Sequence, residues 1–309
     1  MPKDVYVQPN APDPVLDNDL VLRLARRHMP DAQSVTAVDE SGGEARTYLI
    51  DDRLILKTQR PQQLRPRTSL AKEVFFLKQI EAVLPDLSVP RVLGYGGDGR
   101  YVEYTLLTRM PGVALRQAEL SGPARLAVMS ELGRTLRRVH RMPQAPFKES
   151  GFFPGDRSAV DVRQRFAEWF EELSARIGEE QRPWSLPLTP AQVAARALAA
   201  LPDSAERVAL HSNPYHEHTF VDTATGTYTG LIDFGDAYIS HPTFDLRRWR
   251  TRAEREALLA GYTADEPVDE AFPRTWLVAQ VLGDLGAIAS NPAAAEAASE
   301  DLRRLVGEL

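Results

Sequence analysis

Apolar residues recur at helical spacing through "TSLAKEVFFLKQIEAVLP" (68–85). Leu70, Val74, Leu77, Ile80 and Val83-Leu84 mark one face, and Thr68 or Ser69 stands where an N-cap belongs. Ahead of it the period drops to two. "SVTAVDES", "ARTYLID" and "RLILKTQ" read as strands, punctuated by turns at Gly42-Gly43 and Asp51-Asp52. "RVLGYGG" and "RYVEYTLLTRM" add two more before Pro111-Gly112 breaks the chain. An earlier segment, "NDLVLRLARRHMP", predicts a helix with Asn18 as N-cap and Pro30 after its end. The first eighteen residues are rich in Pro, Asp and Asn and predict an extended arm.

Beyond Met110 the pattern turns helical: "GPARLAVMSELGRTLRRVHRM", "AVDVRQRFAEWFEELSARI", "TPAQVAARALAAL" and a terminal Ala-rich stretch. A small β island, "RVALHS", "HTFVDTA" and "TYTGLIDF", interrupts the helices, its last two runs joined as a hairpin at Thr225-Gly226. The switch from strands to helices divides the chain into 1–111 and 112–309, an α+β architecture. No repeat of fixed period is present.

Composition narrows the function classes. The chain has 309 residues, a net charge of -6 and no cysteine. A mildly acidic protein is a poor general binder of nucleic acid. Without cysteine there is no disulfide, thiolate nucleophile or Cys-ligated zinc. The N-terminus lacks a basic-then-apolar leader pattern, and no apolar run is long enough to span a bilayer, so the sequence predicts a cytoplasmic protein with no membrane partner.

Some residues stand in an order that suits phosphoryl transfer, which needs a cation on the phosphates, carboxylates for Mg²⁺ and a group orienting the attacking hydroxyl. Lys57 lies late in an alternating strand, from which it can point inward and reach the phosphates of a nucleotide. Glu73 on the next helix can hold its ammonium. The plain alternatives are a solvent-facing strand lysine and an exposed carboxylate beside Lys72. The strand-Lys, helix-Glu order raises the functional reading of both. Gly42 and Gly43 offer backbone N–H groups to a phosphate, or only a hairpin turn. Asp233, in "LIDFGDA", closes an apolar strand, where a carboxylate needs compensation that Mg²⁺ supplies. Otherwise it caps the turn at Gly235. His211, Asn213 and His218 carry the spacing of the kinase catalytic loop H-R-D-x-x-x-x-N, with Asn in the place of Asp and His in the place of Asn. No G-x-x-x-x-G-K-[ST] sequence occurs, which argues against a Walker-type ATPase.

With "LLTRMPG", "HSNPYHEH", "IDFGDA" and "HPTFDL" in order, nearly the whole chain resembles the aminoglycoside phosphotransferase family of the protein-kinase-like superfamily. The resemblance implies a bilobal protein-kinase-like fold and ATP (or GTP) with Mg²⁺ as cofactors. Lys57 would meet the α- and β-phosphates, Glu73 would anchor it, and the backbone of Thr108, Arg109 and Met110 would hold the base. Asp233 and His218 would bind metal, His standing where the family usually has Asn. Asp245 would brace the catalytic loop or cap a helix at "LRRWRT". The acceptor would be a small-molecule hydroxyl, walled by residues 166–180 and the final helices. Glu168, Glu171, Glu172, Glu179 and Glu180 could attract a cationic acceptor or form a solvated face. Asn213 is the deepest departure, because a carboxamide can orient a hydroxyl but is no base near neutral pH. It leaves open a natural pseudokinase, a substitution for a native Asp, or another proton acceptor among His216, Glu217 and Asp236. A rival reading makes His211, His216, His218 and Asp233 a metallohydrolase site.

Overall fold

The computed structural model describes residues 7–8, 10–40, 43–66, 69–97, 103–249 and 251–309. Gly42 and Thr68 lie outside the described residues.

The N-terminal part is α1 (Asn18–Arg26), three strands β1 (Val35–Asp39), β2 (Ala45–Ile50) and β3 (Leu54–Gln59), helix α2 (Leu70–Val83), then β4 (Val92–Gly97) and β5 (Glu103–Thr108). The strands form one antiparallel sheet in the order β1-β2-β3-β5-β4. Asp51 and Asp52, at φ 50° and 54°, make the tight β2–β3 turn. Asp17, one residue ahead of the expected cap, closes the start of α1 by accepting from the Leu20 N–H at 2.7 Å. Two adjacent residues of equal capping chemistry compete there, and Asp17 is the one with extended backbone. The arm before it is anchored to the sheet. Arg46 and Arg60 both grip Asp13, at 3.2 and 2.8 Å, and Leu16 is buried beside Tyr48.

β3 lies at the centre of the sheet, and its two faces serve different cores. Leu54 and Leu56 join Tyr48, Ile50, Tyr104 and α1 in a small core. Ile55, on the other face, packs against the main core that includes Phe76, Leu77 and Ile80 of α2. The period-two rule puts Lys57 on the face of Ile55, toward α2 and the rest of the chain.

Pro111 and Gly112 end the sheet-bearing part. Gly112 has φ 85°, and a Cβ there would fall 2.1 Å from the Val221 carbonyl oxygen, so the crossing needs glycine. Next come β6 (Val113–Ala114), α3 (Gly122–His140), α4 (Ala145–Glu149), α5 (Ala159–Glu179) and α6 (Pro190–Ala200). The β island holds β7 (Val208–Leu210), β8 (Thr219–Asp222), β9 (Thr227–Leu231) and β10 (Tyr238–Ser240). β8 and β9 make the expected hairpin, with Gly226 in its turn at φ 68°, and β10 pairs with β7. The chain ends in α7 (Thr243–Leu246), α8 (Arg252–Tyr262), α9 (Phe272–Ser290) and α10 (Ala295–Glu308). Capping boxes at Ser158/Asp161, Thr189/Gln192 and Thr251/Glu254 set the starts of α5, α6 and α8. Asp245 does not cap a helix at "LRRWRT": it lies inside α7, which ends at Leu246, and α8 begins at Arg252 under its own Thr251 cap.

Candidate active site

Lys57 sits mid-sheet, paired across to Thr47 and Thr105 on the flanking strands. From there its Nζ donates to Glu73 Oε2 at 2.9 Å and to Asp233 Oδ1 at 2.8 Å. Three residues from three distant segments therefore meet at one ammonium. Burial would lower the Lys57 pKa, but Asp233 and Glu73 override it and hold the amine above its ordinary value. Of the two carboxylates, Asp233 acts on it more strongly. Burial pushes its carboxyl up, yet Lys57 and then His218 bring it well below the usual range. Glu73 is 1% exposed and is shifted the other way, chiefly by burial, with the second carboxylate adding to the rise.

Helix α2 holds the Asp233 segment at further points. Lys72, beside Glu73 and 3% exposed, donates its Nζ to the Ala237 carbonyl at 3.0 Å. Phe76 packs on Phe234 with ring centroids 4.8 Å apart. Asp233 itself has φ 70°, a left-handed conformation uncommon for a non-glycine residue. Such backbone persists where its surroundings over-determine it, and the contacts from Lys57, Lys72 and Phe76 do so here.

The second segment, residues 211–213, is held by a buried carboxylate. Asp245 accepts from the backbone N–H of His211 and of Ser212, each at 2.8 Å, and Ser212 has φ 81°. His140, at the end of α3, reaches Asp245 through Nε2 at 3.0 Å and the Tyr262 hydroxyl through Nδ1 at 3.0 Å. His211 donates Nε2–H to the Ile232 carbonyl at 2.8 Å, and its Nδ1 accepts from the Asn213 N–H at 3.2 Å. Those partners use both nitrogens of a neutral ring. Burial accordingly lowers its pKa to about 4. His211 thus joins the two segments as a strut.

Asn213 and His218 face the same place. His218 Nδ1 lies 2.9 Å from the Asn213 carbonyl oxygen, and its Nε2 lies 3.2 Å from Asp233 Oδ2. Both ring nitrogens of His218 thus face oxygen acceptors, and a cation taken up between Nε2 and Oδ2 would replace a proton there while Nδ1–H still donates to the Asn213 carbonyl. His218 Nε2 and Asp233 Oδ2 could then serve as one nitrogen and one oxygen ligand of a divalent cation. This sparse set suits Mg²⁺ delivered on phosphate oxygens, because Mg²⁺ keeps most of its octahedron for substrate and water. The Asn213 side-chain oxygen accepts from Arg248 Nη1 at 2.8 Å.

The remaining expected positions are less closely tied to this cluster. Gly43 lies in the bend before β2, where a Cβ would meet its nearest neighbour at an ordinary 3.6 Å, so neither space nor backbone demands glycine. Thr108 and Arg109 donate their N–H groups to the carbonyls of Arg91 and Arg53, and Met110 is buried after them. His216 Nε2 lies 2.9 Å from Glu217. Among the described residues no three His, Asp or Glu side chains are arranged to hold a metal, which leaves the metallohydrolase reading without its cage. The acidic run of α5 is exposed. Glu168 bonds to Gln164, and Glu180 pairs with Arg176 and Arg182.

Three participants escape a reading by motif: Lys72, His140 and Arg248. His140 had a signal, lying four residues after Leu136 on the apolar stripe of α3, where a buried imidazole requires partners.

Residues 35–286 match the model of the phosphotransferase enzyme family. Among solved structures, the GDP complex of an aminoglycoside 2'-phosphotransferase-IIIa mutant aligns with TM-score 0.62 at 15% identity, over 94% of this chain and 97% of that one. Macrolide 2'-phosphotransferase MphH from Brachybacterium faecium aligns with TM-score 0.58 at 21% identity, over 93% and 97%. The streptomycin-ATP-APH(2")-IIa ternary complex aligns with TM-score 0.58 at 15% identity, over 89% and 90%. At such identities the likeness is one of fold. The family match spans most of the sequence, and the chain belongs to the phosphotransferase enzyme family.

Proposed function

We propose that the chain transfers the γ-phosphoryl group of ATP (or GTP) to a hydroxyl of a small molecule. The nucleotide would lie between an N-terminal lobe, residues 1–111, and a C-terminal lobe, residues 112–309. The observation that carries this reading is the bridge from Lys57 to both Glu73 and Asp233. It joins the sheet, α2 and the β9–β10 connection around one charge, the place where phosphates and metal would meet.

In this reading Lys57 contacts the phosphates, and Glu73 keeps its ammonium in place when Asp233 turns to metal. Asp233 and His218 would hold Mg²⁺, which supplies charge neutralisation on the transferred group. The backbone after Thr108 would hold the base, and Gly43 would approach the phosphates. Asn213 would orient the acceptor hydroxyl. The hydroxyl oxygen would form the new O–P bond as the bond from phosphorus to the bridging oxygen breaks, the nucleoside diphosphate leaving with that oxygen and the hydroxyl proton passing to solvent water. A carboxamide does not accept that proton at neutral pH. Loss of a general base costs roughly 10²–10⁴ in rate, whereas positioning and electrostatics carry most phosphoryl transfer. The chain is therefore a slow phosphotransferase.

Kanamycin and streptomycin appear in structures of similar proteins, so an antibiotic or a hydroxylated metabolite is the acceptor class to test first. A cytoplasmic protein would meet its nucleotide there, and no helix among the described residues is long and apolar enough to cross a membrane. Asn213 also supports a second reading, a nucleotide-binding scaffold. Turnover of ATP with Mg²⁺ across aminoglycosides, macrolides and small hydroxylated metabolites separates the two, comparing the chain with Asn213→Asp. Phosphorylation of any acceptor by the Asp form supports the enzyme. An Asp form that binds ATP and phosphorylates none of them supports the scaffold.

A further inference from the structure

Two consecutive arginines follow α7, and neither has an acidic partner among the described residues. Arg247 is 7% exposed. Its guanidinium lies 3.9 Å from the centre of the Trp169 ring and 5.6 Å from that of Phe244. Its Nε is buried without a hydrogen-bond partner. Other buried arginines of this chain do have carboxylates: Arg46 meets Asp13 and Glu40, and Arg255 meets Asp284 and Asp301. Burial, and then the neighbouring charge of Arg248, lower the Arg247 pKa to about 9; Tyr238 and the buried Asp245, already committed to His140 and the N–H groups of His211 and Ser212, offset only part of this. Arg248 is exposed and donates to the Asn213 side-chain oxygen at 2.8 Å. Nearby Arg165 stacks on Tyr238 at 4.9 Å, but Asp156 neutralises it through a two-pronged pair.

An unpaired guanidinium at this depth is costly, and aromatic faces offset only part of the cost. Two such charges side by side repel each other as well. An anion relieves both penalties, and a guanidinium fork matches carboxylate and phosphate geometry. Asn213 adds to the pattern. Arg248 has no acceptor to offer, so it fixes the carboxamide oxygen toward itself and leaves the Asn213 Nδ2 donors facing elsewhere.

We infer that Arg247 and Arg248 form an anion-binding end of the acceptor site, so that the reacting hydroxyl belongs to a molecule carrying a carboxylate or a phosphate. Calling it the acceptor site rests on the phosphotransferase reading; the anion site itself rests on the geometry above. A polycationic aminoglycoside is the wrong charge for it.

Trp169, lying under Arg247, gives the test its signal. The protein is first saturated with Mg²⁺ and a non-hydrolysable ATP analogue, then titrated at constant ionic strength with acetate, inorganic phosphate or kanamycin while tryptophan fluorescence is read. Saturable changes with acetate or phosphate are expected, and the tighter of the two names the anionic group. Arg248→Gln, an exposed position, should weaken that binding at least about tenfold, and Arg247→Gln should do the same if its far-ultraviolet dichroism shows it folded. No saturable response to either anion overturns the inference. So does a response that Arg248→Gln leaves unchanged, or one that kanamycin reproduces. The nucleotide titration at the start reports separately on the phosphotransferase reading; if no nucleotide binds, the anion titrations are read on the free protein with the same criteria.

Discussion

Arg248 donates a hydrogen bond from Nη1 to the side-chain oxygen of Asn213 at 2.8 Å. The contact settles which way the carboxamide points, because a guanidinium can only donate. It also supplies a partner for a carboxylate at the same position. Asn213→Asp should therefore fold normally and gain a general base. Phosphoryl transfer to a competent acceptor should rise by roughly 10²–10⁴ in kcat. A coupled assay for ADP release checks it; an Asp form no faster than the parent on an acceptor both use would remove the proton-accepting role from this position.

Lys57 neutralises the buried carboxylate of Glu73. Lys57→Met leaves Glu73, with a side chain 2% exposed, without its cation. Breaking a buried pair costs roughly 3–5 kcal/mol when the orphan stays charged. Glu73 escapes part of that by taking a proton. Urea denaturation at pH 7 should show a loss toward the lower end of the range, and adding Glu73→Gln to Lys57→Met should recover part of it. A double variant no more stable than the single one would mean that Glu73 is not what suffers.

The Lys72 bond to the Ala237 carbonyl predicts a different outcome. Lys72→Met is close in volume and leaves that carbonyl without this donor, at a cost of about 1–3 kcal/mol. The same change loosens the segment that carries Asp233, so affinity for Mg²⁺-nucleotide should fall together with stability. Equal nucleotide affinity in the variant and the parent would show that the segment is held without Lys72.

Two histidines buried as neutral rings make the fold sensitive to acid. Burial lowers His211 to about 4 and His241 to about 3, and His241 Nε2 has no hydrogen-bond partner. In each case the unfolded chain, near 6.5, binds the proton more readily than the folded one. The stability they confer is present above pH 6.5 and lost as pH falls toward those values. Asp284, raised by burial to about 6, works the other way between pH 6 and its unfolded value. Glu73 shares that sign. A single histidine is expected to cost about 2 kcal/mol between pH 6.5 and 5. His241→Gln should therefore lose roughly that much less stability than the parent over this interval, measured by urea denaturation at each pH. Parallel curves for the two proteins would contradict the assignment.

Much of this was legible in the chain. Alternation in "LILKTQ" and the 3.6-period of 68–85 placed Lys57 and Glu73 on elements that do face each other. The apolar run into Asp233 marked a carboxylate in need of compensation. What sequence could not supply was the partner chosen across long separations. Lys57 meets Asp233 across 176 residues, and Lys72 meets Ala237 across 165. A lysine next to a glutamate on a helix reads as a solvated pair until the helix is seen to be covered on that side. Asp245 had two local readings, brace or cap, and the choice fell to the brace because the backbone after Leu246 leaves the helix. Asp17 displaced Asn18 as cap for a smaller reason, a one-residue difference in where the backbone turns.

The central claim is that a magnesium-loaded nucleotide binds where Lys57, Glu73 and Asp233 converge. Isothermal titration calorimetry of ATP with Mg²⁺ into the protein, repeated for Lys57→Ala and Asp233→Asn, tests it most directly. The account predicts one saturable site in the parent, weakened at least about tenfold in each variant, a loss of about 1.4 kcal/mol or more. No heat of binding in the parent, or an affinity that both substitutions leave intact, would contradict it.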